Sequence, residues 1–129
     1  MKKAFVATAI LLAGCVAGTA ATPRQEANRR ALDDARPVGE PEDCISINRI
    51  RSSNVRSEDV IDFEMNDGRI MRSRLPQSCP GLAFEERFTY RTSLNRLCAV
   101  DTITVLDSSG RRGASCGLGP FQPVELPRR

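Results

Sequence analysis

The chain contains no histidine and no tryptophan, and its two lysines are Lys2 and Lys3. Without histidine, the most common general base is missing, together with Ser-His-Asp and Cys-His nucleophile systems and histidine-bound metals. Without lysine beyond residue 3, Schiff-base chemistry is excluded for the rest of the chain. One tyrosine and no tryptophan leave little aromatic surface for stacking sugars. These absences favour a non-enzymatic protein with no cofactor and no metal.

No apolar run is long enough to span a membrane, which takes about 20 residues. Lys2 and Lys3 precede a shorter apolar stretch over 4–13, the pattern of a secretory signal peptide. The segment Leu12–Cys15 reads LAGC and resembles the lipobox of bacterial lipoproteins, in which the cysteine receives lipid and becomes the new N-terminus. The sequence thus predicts a signal peptide over 1–15 with lipidation at Cys15. The alternative is an ordinary signal peptide cut at the small residues between 18 and 21.

An excess of charge of one sign is also lacking. Lys2 and Lys3 are two of the 19 basic residues, which leaves 17 arginines against 16 acidic residues beyond the signal. This balance gives no reason to expect a nucleic-acid partner. The expected partners are the membrane, through the lipid on Cys15, and an unknown protein of the cell envelope.

Four further cysteines are Cys44, Cys79, Cys98 and Cys116. In a small exported domain they predict two disulfides, whereas zinc would require closer spacing or histidine. Sequence allows three pairings. We predict Cys44–Cys116 and Cys79–Cys98, because the first and last strands of a small closed sheet commonly meet. The other two pairings remain open alternatives.

Residues 16–43 have few large apolar side chains and are expected to form a disordered tether; a weak helix over 24–35 would have no apolar face to bury. A small β domain is expected over 44–124, with a loose tail over 125–129. About five or six short strands predict a mainly β fold, a small antiparallel sheet curled into a disulfide-stapled barrel or sandwich. Residues 52–54 are expected to form a loop, and Leu94 and Leu97 to point inward.

The clearest hairpin signal is the alternating run 60–66 followed by Asp67 and Gly68. A two-residue turn would place arginines on the apolar face, whereas a three-residue loop with Gly68 in the left-handed conformation would not. The sequence therefore predicts Phe63 opposite Met71. It also predicts an exposed Asp62–Arg72 pair, worth at most about 1 kcal/mol.

Several short motifs lie around these cysteines: Cys44-Ile45, Asp62-Phe63 with Asp67-Gly68, Cys79-Pro80-Gly81-Leu82, Leu97-Cys98 with Asp101-Thr102-Ile103, and Cys116 with Leu118-Gly119. They resemble a domain of unknown function found in small exported proteins of proteobacteria. The resemblance covers residues 44 to about 123. It supports the cysteine framework and implies no activity or site residue.

Carboxylates are the remaining candidates for catalysis, as in the acid pair of a glycoside hydrolase. They are Asp62, Glu64, Asp67, Asp101 and Asp107. Asp62 and Glu64 are expected on an outer strand face and Asp67 in a turn, so no catalytic residue is predicted. The expected function is a non-enzymatic envelope module, a lipoprotein with a binding or structural role. A periplasmic inhibitor of a secreted enzyme is the alternative, and a carboxylate-dependent hydrolase is the third possibility.

Lipidation can be tested by the substitution Cys15→Ala. We expect the variant to leave the membrane fraction or to remain unprocessed, because the lipid acceptor is gone. Val16 rather than aspartate follows the cysteine, which by resemblance to the enterobacterial sorting rule favours the outer membrane. Fractionation of membranes and periplasm measures both points. A variant that is processed and fractionates like the natural protein would contradict lipidation, and recovery in the inner membrane would contradict the sorting alone.

Overall fold

The computed structural model describes residues 14, 18–92 and 94–128. Cys15 and the rest of the expected signal peptide, apart from Gly14, lie outside the described residues. In the described part of the chain, no helix is both long and apolar enough to cross a membrane.

Within these residues the fold is mainly β, as predicted, with ten strands and two α-helices. The helices are α1 (Pro23–Asp33) and α2 (Leu82–Glu85), and a 3-10 helix covers Ile47–Arg49. The strands are β1 (Arg36–Pro37), β2 (Cys44–Ser46), β3 (Ile50–Ser57), β4 (Val60–Met65), β5 (Ile70–Arg74), β6 (Phe88–Tyr90), β7 (Arg96–Cys98), β8 (Thr102–Leu106), β9 (Arg112–Gly117) and β10 (Phe121–Glu125).

The strands form three antiparallel sheets. Sheet A has the order β1-β10-β5-β4-β3, sheet B pairs β2 with β7, and sheet C has the order β6-β8-β9. Over the described residues, no sheet closes into a barrel, and the arrangement is sandwich-like. The prediction of a barrel or sandwich is therefore met by the sandwich, with more and shorter strands than expected.

The core lies where the inner faces of these sheets meet. Phe63 of β4 packs edge-on against Phe121 of β10, with ring centroids 5.7 Å apart, and against Phe88 of sheet C at 6.2 Å. Leu97 is fully buried as predicted, but Leu94 is 71% exposed, so the prediction for Leu94 is wrong. Leu97 lies in β7 and points inward from that strand, while Leu94 lies before the strand begins.

The β4–β5 hairpin has the predicted register. Phe63 lies opposite Met71 and Asp62 opposite Arg72. The backbone N–H of Met65 donates to the Arg69 carbonyl at 2.9 Å, which leaves three residues in the loop. Gly68 adopts a φ of 88°, the left-handed conformation that this loop requires. Hydrogen bonds from the Arg69 backbone and side chain lower the pKa of Asp67 in the same turn.

Residues 52–54 are part of β3 and not a loop. Ser53 pairs with Phe63 and Asn54 with Asp62, so their backbone groups join sheet A. Because β3 is an edge strand with an outward face, polar residues fit it without cost. The polarity of the segment reflects exposure rather than a turn.

The prediction of a disordered tether over 16–43 is wrong for much of its length, because α1 and β1 both lie within this range. Thr22 caps α1 by accepting from the Gln25 backbone, while the Gln25 side chain accepts from the Thr22 backbone. The first residue of the predicted loose tail is also part of the fold. Glu125 is the last residue of β10 and forms an ion pair with Arg36 of β1 at 3.0 Å.

The four cysteines form two disulfides, but the predicted pairing is wrong. The bonds join Cys44 to Cys98 and Cys79 to Cys116. Cys44 and Cys98 lie directly opposite each other in the β2–β7 pair. The expectation failed because Cys116 lies in β9, an edge strand of sheet C, whereas Cys44 lies in β2, which pairs with β7 in sheet B.

The pairing can be checked by mass spectrometry of the non-reduced protein after trypsin digestion. Cleavage after arginine places the four cysteines on separate peptides covering 31–49, 75–87, 97–111 and 113–128. We expect the first to be linked to the third and the second to the fourth. Linkage of 31–49 to 113–128 would contradict the structure.

Each disulfide should also stabilise the fold. The bonded cysteines are 54 and 37 residues apart, so the chain-entropy model gives about 4 kcal/mol for either bond.

Candidate functional site

The buried centre of the outer face of sheet A is the Asp62 carboxylate. Asp62 is fully buried, and Arg72 binds it with two hydrogen bonds, Nε to Oδ1 at 2.7 Å and Nη2 to Oδ2 at 2.9 Å. The predicted register of this pair is right, but its predicted exposure is wrong. A buried bidentate pair is a strong interaction, and the loss of either partner would destabilise the fold.

A second arginine completes the cluster. Arg56 of β3 donates from Nε to Oδ2 of Asp62 at 2.9 Å, and its side chain is only 15% exposed. Two guanidinium groups thus share one carboxylate, which leaves one surplus positive charge on this face. Burial of such a charge is unfavourable unless other acceptors compensate it.

The compensation comes from α1, which lies over the cluster. Arg72 Nη2 donates to the Ala31 carbonyl near the C-terminal end of the helix at 2.8 Å. Arg56 Nη1 donates to Oδ1 of Asn28 at 3.0 Å, and Asn28 Nδ2 reaches the Val55 carbonyl at 3.4 Å. The C-terminal end of a helix carries partial negative charge, which favours the nearby guanidinium.

Polar contacts therefore hold α1 more than apolar burial does. Ala31 is the only buried residue of this helix among those described. The segment has little apolar surface, as expected, but it is helical rather than disordered. A sequence signal for the helix exists in Thr22-Pro23-Arg24-Gln25, a capping box with proline at the first helical position.

A groove with a volume of about 590 Å³ lies between α1 and α2. Asn28 and Arg24 line it from α1, and Arg56 lines it from the sheet. Phe84 of α2 also lines it and is 87% exposed. An ion pair between Arg24 and Glu86, at 2.7 Å, connects the two sides.

The backbone around α2 explains the projection of Phe84. Gly81 before the helix and Glu86 after it both have positive φ, of 83° and 52°. Two left-handed residues confine α2 to a single short turn, in which Leu82 is buried and Phe84 points outward. Sequence reasoning missed Phe84; its signal is an aromatic residue directly before the charged run 85–87.

The five carboxylates considered for catalysis do not converge among the described residues. Beyond Asp62 and Asp67, Glu64 accepts from Arg51 and Ser52, and Asp101 accepts the Cys98 backbone N–H at 2.7 Å. No two of the five share a hydrogen-bond partner. Each is used to organise its own turn, strand end or ion pair.

Asp107 organises an exposed loop after β8. Its Oδ1 accepts from the Ser109 hydroxyl at 2.6 Å and from the backbone N–H groups of Ser109 and Arg111, each at 2.9 Å. The Ser109 hydroxyl is the main cause of the lowered pKa of Asp107, and the Arg111 backbone N–H adds to it. Arg111, whose side chain is 84% exposed, is held at the tip of this ordered loop.

No protein-family model, curated protein or solved structure matches the chain. Function is therefore inferred from the geometry of the described residues.

The dependence of the fold on Asp62 can be measured with the variant Asp62→Ala. Loss of the carboxylate leaves Arg56 and Arg72 buried without their counter-charge, so we expect a loss of about 3–5 kcal/mol in the free energy of unfolding. Urea denaturation provides the measurement. The matched control is Glu64→Ala on the same strand face, whose ion pair with Arg51 is partly exposed and should cost about 1 kcal/mol or less.

A milder variant separates the helix from the sheet. Asn28→Ala removes the bonds to Arg56 and Val55, so the α1 amides should exchange hydrogen faster while the core strands keep their protection. Equal stability losses in Asp62→Ala and Glu64→Ala, or unchanged exchange in Asn28→Ala, would contradict this role for the cluster.

Proposed function

We propose that this chain is a non-enzymatic binding module of the bacterial cell envelope, exported by an N-terminal signal and anchored through a lipid on Cys15. The single observation that carries the binding role is the exposed Phe84 beside the groove between α1 and α2. The two disulfides are compatible with an oxidising, exported location and support the envelope assignment.

The proposed partner is an envelope protein that presents an apolar side chain flanked by charged groups. Aromatic residues, phenylalanine among them, are enriched in protein–protein interfaces relative to the rest of the surface. Phe84 provides the apolar contact, while Arg24 and Glu86 provide charges of both signs at the groove. A partner that covers Phe84 would remove apolar surface from water without disturbing the buried core.

Lipidation at Cys15 would keep this groove near the membrane. Seven residues separate Cys15 from Pro23, the first residue of α1. A chain of that length spans at most about 25 Å. The proposed lipid anchor would therefore be joined to α1 by a short linker, rather than by the long tether that composition alone predicts. A short linker favours a partner at the membrane surface.

A second candidate function is inhibition of a secreted enzyme, favoured by the loop that presents Arg111. Inhibitors of this kind project a rigid loop, and Asp107 holds this one through three hydrogen bonds to its Oδ1. By contrast, no arrangement among the described residues favours a hydrolase, since each candidate carboxylate is engaged by its own neighbours.

One experiment separates the two candidates. A photo-crosslinking amino acid is introduced at Phe84 in one strain and at Arg111 in another, and both are irradiated in living cells. We expect one discrete crosslinked protein from position 84, because the groove is the proposed contact. A discrete product from position 111 that is a secreted enzyme would favour the inhibitor instead.

The matched control is Leu94, an exposed aliphatic residue that does not line the groove. The product from position 84 should be absent from position 94 and should weaken when Arg24→Ala is added. Identical products from all three positions, or none from position 84, would contradict the proposed binding groove.

A further inference from the structure

The segment that contains the three strands of sheet C, together with β7 of sheet B, carries an excess of positive charge. Residues 87–117 contain five arginines and two aspartates, whereas the rest of the chain beyond the lysines contains 12 arginines and 14 acids. The near-neutral charge of the whole chain therefore conceals an uneven distribution. The surface around this sheet favours anions more than the remainder does.

The outer face of the same sheet carries a row of hydroxyl groups. Thr89 of β6 pairs with Thr104 of β8, which pairs with Ser115 of β9, so the three side chains lie in register across the strands. The hydroxyl oxygens of Thr104 and Ser115 are 2.9 Å apart. Such a row offers both donors and acceptors on a flat support.

A shallow cavity of about 330 Å³ lies on this face, lined by Thr89, Thr102 and Thr104 together with Arg91 and Arg112. Within the ranges 18–92 and 94–128, neither arginine has a carboxylate partner at ion-pair distance. Their guanidinium groups are thus available to a ligand, and arginine is well suited to bind phosphate and carboxylate oxygens.

Asp101 favours a ligand that carries hydroxyl groups in addition to an anionic group. Its Oδ2 accepts the Cys98 backbone N–H, while its other oxygen is not engaged by the described residues. A carboxylate repels a simple anion but accepts hydrogen bonds from hydroxyl groups.

We propose that this cavity binds an acidic or phosphorylated sugar. Arg91 and Arg112 bind the anionic group, and Asp101 and the threonine hydroxyls bind the sugar hydroxyls. The volume, near the lower limit for small-molecule sites, fits one sugar residue. None of the residues lining it lines the groove beside Phe84, so this site is independent of the protein-binding groove.

The test is a titration of the isotopically labelled full chain, followed by the backbone amide shifts of Thr89, Thr102 and Thr104 in NMR spectra. The probes are glucose 6-phosphate, glucuronate, inorganic phosphate and glucose. We expect saturable shifts with the first two probes, weaker ones with phosphate and none with glucose. Arg91→Gln and Arg112→Gln should each lower the affinity for glucose 6-phosphate by about tenfold, the scale of one charge-assisted hydrogen bond.

Two control variants keep the result specific. Arg96→Gln removes an exposed arginine of the same charged segment that does not line the cavity, and it should leave the affinity unchanged. Thr102→Val keeps the shape and strand preference of the side chain but removes its hydroxyl, so it should weaken the sugar probes more than phosphate.

Absence of saturable shifts would overturn the proposal. Equal affinity for inorganic phosphate and glucose 6-phosphate would overturn the sugar part of it. If Arg96→Gln lost as much affinity as Arg91→Gln or Arg112→Gln, the proposed site would be overturned, because binding would then follow the general charge of the segment.

Discussion

The attachment of α1 to the outer face of sheet A depends on the buried Asp62 carboxylate. It lies on the central part of sheet A and binds Arg72 and Arg56 at once, so two cations are drawn onto a face that would otherwise be open to water. The surplus charge requires additional acceptors, and Ala31 and Asn28 of α1 supply them. The position of the helix is therefore determined by its hydrogen bonds to the two buried arginines rather than by burial of an apolar stripe.

That mode of attachment connects the cluster to the proposed function. Because α1 buries little apolar surface, a few directional bonds position the helix, and the helix forms one wall of the groove beside Phe84. A fully satisfied network of this kind specifies geometry, and removal of one partner is strongly destabilising because it leaves a buried charge uncompensated. The core around Phe63 and Phe121 is formed on the opposite side of the sheet.

The sequence predicted the β4–β5 register because one face of β4 is strongly apolar, and a shift by one residue would have exposed it. It predicted the four bonded cysteines but not their partners, since pairing depends on strand order, and nothing local places β2 opposite β7. The burial of Asp62 was missed because it requires α1, whose own signal lay in a capping box and not in hydrophobicity. Phe84 was missed because exposed side chains leave no periodic pattern.

The two disulfides close loops that overlap along the chain. Cys79 lies inside the loop from 44 to 98, and Cys98 lies inside the loop from 79 to 116. A single break of the backbone anywhere between 44 and 116 therefore releases no fragment, since at least one bond always spans the break. The domain is interlocked, and a protease must cleave it at least twice before any part of its central segment can diffuse away.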